Sequence, residues 1–187
     1  MVPMKHLAVV AAVTLAACGP SDEAPGDAPS SQPSMSAATV EHDNDIIALL
    51  DSGQPVFGMF APEQSAEGGA QAAANTETDF IFYSLESGPW DIPTMEAFMA
   101  GMADASGDAA PHPVVLRIPP VRDDRAAART HMEEGMAAGI AVLPLPLVET
   151  PEELALAVEV MGGRLWPLNS QGDVLTVILI EDQSGIE

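Results

Sequence analysis

Residues 113–120 read PVVLRIPP, an apolar run that is too short for a helix and has prolines at both ends. A run of this length and composition is typical of a parallel strand that is buried on both faces. It carries a single charge, Arg117, near its C-terminal end. The stretch therefore predicts a central strand of the fold, with Arg117 as its candidate functional residue.

A buried guanidinium needs an anionic partner, because it keeps its proton and is strongly destabilising when it is buried alone. Ligands of parallel α/β proteins collect at the C-terminal ends of the strands. Arg117 therefore predicts a site for a carboxylate or a phosphate. The alternative is a structural ion pair with an internal Asp or Glu.

Composition limits the class of function. The 187 residues, 47% of them hydrophobic, are enough for one substantial core, which predicts one domain. The 6 basic and 28 acidic residues give a net charge of −22, which repels nucleic acid phosphates and excludes nucleic acid as an expected partner. Lys5 is the only lysine, so the chain has no lysine once the N-terminal residues are removed by processing. A mechanism that forms a Schiff base with a lysine is therefore excluded for the processed chain.

The N-terminus has the pattern of an export signal. Residues 1–17 combine a short basic head with an apolar run that is too short to span a bilayer, which predicts a secretory signal peptide. Residues 15–18, Leu-Ala-Ala-Cys, resemble the bacterial lipobox, in which the cysteine, here Cys18, is lipidated. The alternative is an ordinary signal peptide with a chance cysteine. Gly19 follows, which in the resembling lipoproteins favours the periplasmic face of the outer membrane.

Residues 18–42 are acidic and rich in Pro and Ser, which predicts a linker that holds the domain off the membrane. From residue 43 the chain alternates between strand and helix patterns. Strands are predicted at 56–60, 79–86, 113–120, 139–148 and 174–181. Helices are predicted from Asp45 as cap to residue 50, at 93–103, from Asp123 or Asp124 to 138, and from Thr150 as cap to about 161.

The Gly- and Ala-rich residues 62–78 are predicted as a mobile loop. Five strand and helix units at this spacing predict an α/β fold with a parallel sheet, either a barrel or an open doubly wound sheet. Met95, Met99 and Met102 stand at helical spacing and are interpreted as core residues rather than as a soft-metal site.

Several of these stretches together resemble the HpcH/HpaI aldolase and citrate lyase family. They are residues 54–58, 79–91, 114–120, 146–153 and 177–181, in that order. The resemblance implies a (β/α)8 TIM barrel that handles pyruvate-like substrates. Residues 43–187 would supply about the first five β/α units of it.

The resemblance also implies a site. In the family a divalent cation, Mg²⁺ or Mn²⁺, is held by a glutamate at the end of strand five, which matches Glu181. An arginine at the end of strand three binds the same substrate oxygens and matches Arg117. Both stabilise the negative charge that develops on the enolate oxygen during aldol cleavage. The absence of lysine after Lys5 agrees with a metal-dependent aldolase.

The chain departs from the family after strand two. There the aldolases carry Asp-x-Glu-His with a histidine base, whereas residues 84–87 read Ser-Leu-Glu-Ser. Serine is not a base at neutral pH, so Glu86 and Asp91 are the carboxylates that could act through water, and Glu86 is the candidate catalytic partner of Arg117. A family aspartate before strand four matches either Ala137 or Glu133.

The sequence ends soon after Glu181, without strands six to eight or a second metal ligand. We expect a fragment of a longer reading frame or, alternatively, a short protein that covers its open sheet edge by forming a homo-oligomer. The predicted function is a metal-dependent carbon–carbon lyase of the class II aldolase type, acting in the periplasm on a 2-oxo acid or a related small carboxylate. The alternative is a carboxylate-binding lipoprotein with impaired catalysis, which Ser84 and Ser87 favour.

Overall fold

The computed structural model describes residues 41–181, so the signal peptide, Cys18 and nearly all of the linker lie outside the described residues. The helices are α1 (Asp45–Asp51), α2 (Ala66–Ala73), α3 (Ile92–Ser106), α4 (Arg125–Ala137) and α5 (Pro151–Met161), and a 3-10 helix covers Gly162–Arg164. The strands are β1 (Gly58–Phe60), β2 (Phe80–Ser84), β3 (Val114–Arg117), β4 (Val142–Leu145), β5 (Leu165–Trp166) and β6 (Val174–Ile178). No helix between residues 41 and 181 is both long and apolar enough to cross a membrane.

The strands form one parallel sheet in the order β1-β2-β3-β4-β6-β5. From β1 to β4 each strand lies beside the next one in the chain, which is the order of a barrel wall. A doubly wound sheet would instead reverse its direction of growth partway along the chain. The fold is therefore α/β with the order of a partial (β/α) barrel, and the open doubly wound alternative is wrong.

Alternate residues of the strands face two apolar clusters. The larger cluster lies between the sheet and the helices, where Leu116 packs with Phe98 of α3 and Met132 of α4. The smaller cluster lies on the opposite, inner face of the sheet and joins Val115 to Ile46 of α1. Both clusters include β3, which confirms that this strand is central and buried on both faces. The methionines of α3 belong to the larger cluster or pack against it, as predicted.

The prediction of a mobile loop at residues 62–78 is wrong, because α2 lies within that range. Ser65 caps this helix by accepting a hydrogen bond from the Gly68 amide at 3.1 Å. Gly69 faces α3 so closely that a Cβ atom there would lie 2.0 Å from the carbonyl oxygen of Phe98. The small residues that predicted a loop are instead the surface through which two helices approach each other.

The strand boundaries also differ from the prediction. All strands are shorter than predicted, and a sixth strand, β5, precedes β6 in the chain and pairs with it at the edge of the sheet. A strand of two residues has no detectable periodicity, so the sequence did not indicate it. In addition, α1 is capped by Asn44 and not by Asp45.

Asn44 is the buried polar residue that fastens α1 to the sheet. Its Oδ1 accepts hydrogen bonds from the amides of Ile46 at 3.0 Å and Ile47 at 3.4 Å. Its Nδ2 donates to the carbonyl oxygens of Ala141 at 2.8 Å and Asp173 at 3.0 Å, just before β4 and β6. The helix therefore covers the inner face near the N-terminal ends of the strands, which leaves the C-terminal ends as the place for a site.

Replacing Asn44 with alanine is expected to lower the free energy of unfolding by about 2–4 kcal/mol, because a helix cap is lost together with the two hydrogen bonds from Nδ2 to the Ala141 and Asp173 carbonyls. Asn44→Asp keeps the capping oxygen but places a second oxygen against those carbonyls, so it should be similarly destabilising. Urea unfolding followed by circular dichroism measures both. If the urea midpoint of Asn44→Asp equalled that of the wild type, the two hydrogen bonds from Nδ2 would not contribute to stability.

Candidate functional site

The C-terminal ends of the parallel strands meet at one edge of the sheet, here called the mouth. Ser84 ends β2 and Arg117 ends β3, and the two are direct partners in the strand register. Val115 on the same strand belongs to the inner cluster, so Arg117, two residues further on, starts from the same face. Arg117 therefore lies at the mouth, where the sequence predicted it, and the structure places it on the inner face.

Three groups hold the Arg117 guanidinium. Its Nη2 lies 2.9 Å from Oε2 of Glu86, and its Nε donates a hydrogen bond to Oγ of Ser84 at 3.1 Å. Its Cζ stands 5.3 Å from the centre of the Phe82 ring, within cation–π range. The ion pair with Glu86 is the structural partner that the sequence left open as the alternative to a ligand site.

The ion pair does not use all of the donors of Arg117. Among residues 41–181, no acceptor pairs with Nη1, and the arginine side chain remains 22% exposed. A guanidinium binds a carboxylate through two parallel N–H donors. With Nε directed to Ser84, the edge formed by Nη1 and Nη2 can receive an external carboxylate.

Glu86 and Ser84 position the arginine. The Ser84 hydroxyl oxygen also accepts a hydrogen bond from the Glu86 amide at 3.4 Å, so one serine contacts both members of the ion pair. Glu86 lies in contact with Arg117, and the structure thus brings the two predicted catalytic residues together. Ser87, at the family histidine position, is exposed.

Glu181 also lies at the mouth but further from the sheet. Its Oε2 accepts a hydrogen bond from the Leu147 amide at 3.2 Å, and Leu147 has a positive φ of 53°. The register places Val177 of β6 level with Arg117 of β3, with β4 between the two strands. Glu181 lies four residues after Val177, beyond the end of β6 at Ile178. The two predicted residues share an edge, but no ion pair joins them within the described part of the chain.

The donor set does not fit a divalent cation. No group of three or more His, Cys, Asp or Glu side chains that could hold a metal occurs among residues 41–181. Glu181 is a single exposed carboxylate that is already hydrogen-bonded to a backbone amide. The described residues alone therefore do not make up the Mg²⁺ or Mn²⁺ site that the resemblance implies.

The structure adds two features of the mouth that the sequence did not indicate. Arg122 forms an ion pair with Glu149, which follows β4, so a second arginine near this edge already has a partner. Phe82 lies under Arg117 because Phe82 shares a face of β2 with Ser84, and Ser84 is the register partner of Arg117. The alternation of Phe82 with Ser84 places both residues on one face of β2, but only the register of β2 against β3 brings the ring beside the arginine.

Asp91, the other carboxylate that was a candidate base, is a helix cap. Its Oδ1 accepts from the Thr94 amide at 3.0 Å and its Oδ2 from the Thr94 hydroxyl at 2.7 Å. These hydrogen bonds lower the pKa of the Asp91 carboxyl below its usual value. A carboxylate with a lowered pKa, whose two oxygens both accept hydrogen bonds, is a poor proton acceptor. Asp91 is therefore assigned as the N-cap of α3 and not as a base.

The loop after Glu86 is anchored on α4 through Trp90. The Trp90 indole stacks on the His131 imidazole, with 3.9 Å between ring centres, and its Nε1 donates to Oε2 of Glu134 at 2.5 Å. Burial lowers the pKa of His131, while the nearby Glu134 and Asp124 carboxylates oppose that effect. His131 therefore favours its neutral form in the folded protein more than in the unfolded chain.

The lowered pKa of His131 predicts a loss of stability in weak acid. At about pH 8 the residue is neutral in both states, but as the pH falls through about 6.5 the unfolded chain binds the proton first. The free energy of unfolding should therefore fall between about pH 7 and the lower pKa of the folded state. His131→Phe keeps an aromatic ring and should reduce this fall, measured by urea unfolding at several pH values. An unchanged pH profile in His131→Phe would contradict the prediction.

No family model matches the sequence, and no curated protein matches it. Among solved structures, an HpcH/HpaI aldolase/citrate lyase family protein from Burkholderia cenocepacia J2315 superposes with a TM-score of 0.60 and 19% identity, over 76% of this chain and 62% of that one.

Two further solved structures are similar. One is an HpcH/HpaI aldolase from Desulfitobacterium hafniense DCB-2, with a TM-score of 0.48 and 19% identity over 68% of this chain and 44% of that one. The other is macrophomate synthase, with a TM-score of 0.46 and 21% identity over 68% of this chain and 39% of that one. The chain thus spans less than two thirds of each of these proteins. On the Burkholderia superposition, the described chain has the partial barrel fold of an HpcH/HpaI aldolase/citrate lyase family protein, as the sequence predicted.

Proposed function

We propose that the chain is a carbon–carbon lyase of the aldolase type that acts on a 2-oxo acid or a related carboxylate, bound through Arg117. The observation that carries the proposal is the guanidinium at the mouth. It is fixed by Ser84 and Glu86, yet it keeps the edge formed by Nη1 and Nη2 for a ligand. The fold shared with an HpcH/HpaI family protein supports the class of reaction.

Aldol cleavage is favoured by positive charge close to the oxo oxygen of the substrate, which becomes negatively charged during the reaction. In aldol cleavage the substrate hydroxyl loses its proton, the adjacent carbon–carbon bond breaks, and the electron pair moves onto the oxo oxygen as an enolate. An aldehyde leaves, and protonation of the enolate gives the 2-oxo acid product. A guanidinium that is already oriented stabilises the developing charge without reorganising during the reaction.

Glu86 is the carboxylate of the described chain that contacts Arg117. Its Oε2 faces the arginine, and among residues 41–181 its Oε1 has no hydrogen-bond donor. In the proposal, Oε1 accepts the substrate hydroxyl proton through a water molecule. The divalent cation implied by the resemblance would need donors besides Glu181, so no step is assigned to it.

The test is pyruvate release from a 4-hydroxy-2-oxo acid, followed with a coupled lactate dehydrogenase assay in the presence of Mn²⁺, of Mg²⁺ or of a chelator. Turnover that is lost in Arg117→Gln and Glu86→Gln supports the lyase. Turnover that also requires the cation and is lost in Glu181→Gln supports metal binding at Glu181. Cleavage that persists in Arg117→Gln would contradict the assignment of the substrate site.

A second candidate function is carboxylate binding without turnover. It is favoured by the exposed Ser87 at the position where the family has its histidine base, and by a donor set that does not fit a metal. Binding of pyruvate to wild type but not to Arg117→Gln, without pyruvate release from any hydroxy-oxo acid, would select this function over the lyase.

We further propose that the protein is a lipoprotein that faces the periplasm from the outer membrane, on the basis of the motif that ends in Cys18. Expression of the full-length chain in a Gram-negative host, with metabolic labelling by a fatty acid, tests this. The wild type should carry the label and sediment with the outer membrane, whereas Cys18→Ser should do neither. Labelling that persists in Cys18→Ser would overturn the proposed anchor.

A further inference from the structure

An exposed phenyl ring continues the inner face from Arg117 towards the edge of the sheet. Phe60 of β1 and Phe82 of β2 are direct partners in the strand register, and their ring centres lie 4.9 Å apart at an interplanar angle of 59°. The Phe82 ring centre in turn lies 5.3 Å from Cζ of Arg117. The two rings and the guanidinium, here called the Phe–Arg strip, form a continuous surface with one cationic end.

The outer end of the Phe–Arg strip, Phe60, is open to solvent, whereas Phe82 is half-buried. Phe60 is 63% exposed, although its backbone belongs to the sheet. A phenyl ring gains favourable free energy when a ligand covers it, and rings pair with other aromatic groups in tilted and offset arrangements. The surface next to the carboxylate site therefore suits an apolar or aromatic group.

The charges around the strip disfavour a second anionic group on the ligand. Glu86 forms an ion pair with Arg117, and Glu149 forms an ion pair with Arg122. Glu181 lies at the same mouth. A second carboxylate on the ligand would meet these acids, and the two arginines beside them, Arg117 and Arg122, are already paired with Glu86 and Glu149. Like charges at close range weaken binding and so select against such ligands.

We propose that the ligand of Arg117 is a monocarboxylate with an aromatic or bulky apolar group, such as an aryl 2-oxo acid, and that Phe60 and Phe82 bind this group. The inference rests on the proposed carboxylate site at Arg117 and names its substrate class. The carboxylate occupies the Nη1 and Nη2 edge of the guanidinium, and the aromatic group lies over the two phenyl rings.

Isothermal titration of the wild-type protein with phenylpyruvate, pyruvate and 2-oxoglutarate tests the substrate class. Phenylpyruvate should bind about tenfold more tightly than pyruvate, the size expected for one aromatic pair together with its buried area. The dicarboxylate should bind more weakly than pyruvate. In Phe60→Ala the preference for phenylpyruvate over pyruvate should shrink, because only Phe82 then remains to contact the aromatic group.

Phe57→Ala is the matched control, because Phe57 is 55% exposed and lies just before β1, three residues from Phe60. This variant should bind all three acids like the wild type. Equal affinities of the wild type for phenylpyruvate and pyruvate, or an equal effect of Phe57→Ala, would overturn the aromatic preference and leave the carboxylate site intact. Pyruvate binding that survives Arg117→Gln would instead overturn the proposed function itself.

Discussion

In the Arg117→Gln variant we expect the affinity for pyruvate to fall by a factor of roughly 30 to 1000, which corresponds to about 2–4 kcal/mol. Glutamine keeps a polar side chain of similar length but lacks the charge and the paired donors that a carboxylate binds. Isothermal titration calorimetry of the two proteins at the same pH and salt concentration measures the change.

The matched control for that experiment is Arg129→Gln. Arg129 is also an arginine in an ion pair, but it lies on α4 and contacts Glu159 of α5 at 2.6 Å, away from the mouth. Its replacement removes the same net charge and should leave pyruvate binding unchanged. Similar losses in both variants would mean that overall charge, rather than a site at Arg117, governs binding.

The second large effect is expected for Gly69→Leu. Even the Cβ atom of a new side chain would lie 2.0 Å from the Phe98 carbonyl oxygen and 2.9 Å from the Met102 amide nitrogen, both of which are backbone atoms of α3. The two helices would have to separate, and we expect a loss of about 3 kcal/mol or more in the free energy of unfolding. Leucine is a better helix former than glycine, so the loss cannot come from helix propensity.

Gln71→Leu provides the comparison, because Gln71 lies on the same helix but is exposed. It introduces the same side chain two residues away and should change the urea midpoint little. If Gly69→Leu were as stable as Gln71→Leu, the contact between α2 and α3 would not contribute to the fold.

Periodicity and length were enough to predict the parallel sheet and its central strand. The short apolar run at residues 113–120 predicted a buried strand, and β3 lies within it. An arginine near the C-terminal end of such a strand lies at the mouth of a barrel wall. The short helix α2 was missed because its buried face consists of Gly68, Gly69 and Ala72, and such small residues do not form a recognisable hydrophobic stripe. What stabilises it is a backbone contact with α3, and such a contact has no signature in a single sequence.

The site was predictable in place but not in detail. The sequence placed Arg117, Glu86 and Glu181 at the ends of strands. Arg117 does end β3, whereas Glu86 follows the end of β2 and Glu181 follows the end of β6. The sequence could not indicate that Glu86 folds back onto Arg117 while Glu181 binds the Leu147 amide, because such contacts depend on the rotamers and loop paths of separate elements. The ring of Phe82 beneath the guanidinium is a consequence of register, which a single strand does not reveal.

The stacking of Trp90 on His131 gives the protein an optical probe close to its mouth. Indole emission depends on the neighbouring group, and a protonated imidazole quenches it more strongly than a neutral one. Trp90 belongs to the loop that begins at Glu86, so a ligand that shifts Glu86 would alter the fluorescence without any added label. Trp166, the other tryptophan, lies on β5 and its replacement by phenylalanine would leave Trp90 as a single reporter of that loop.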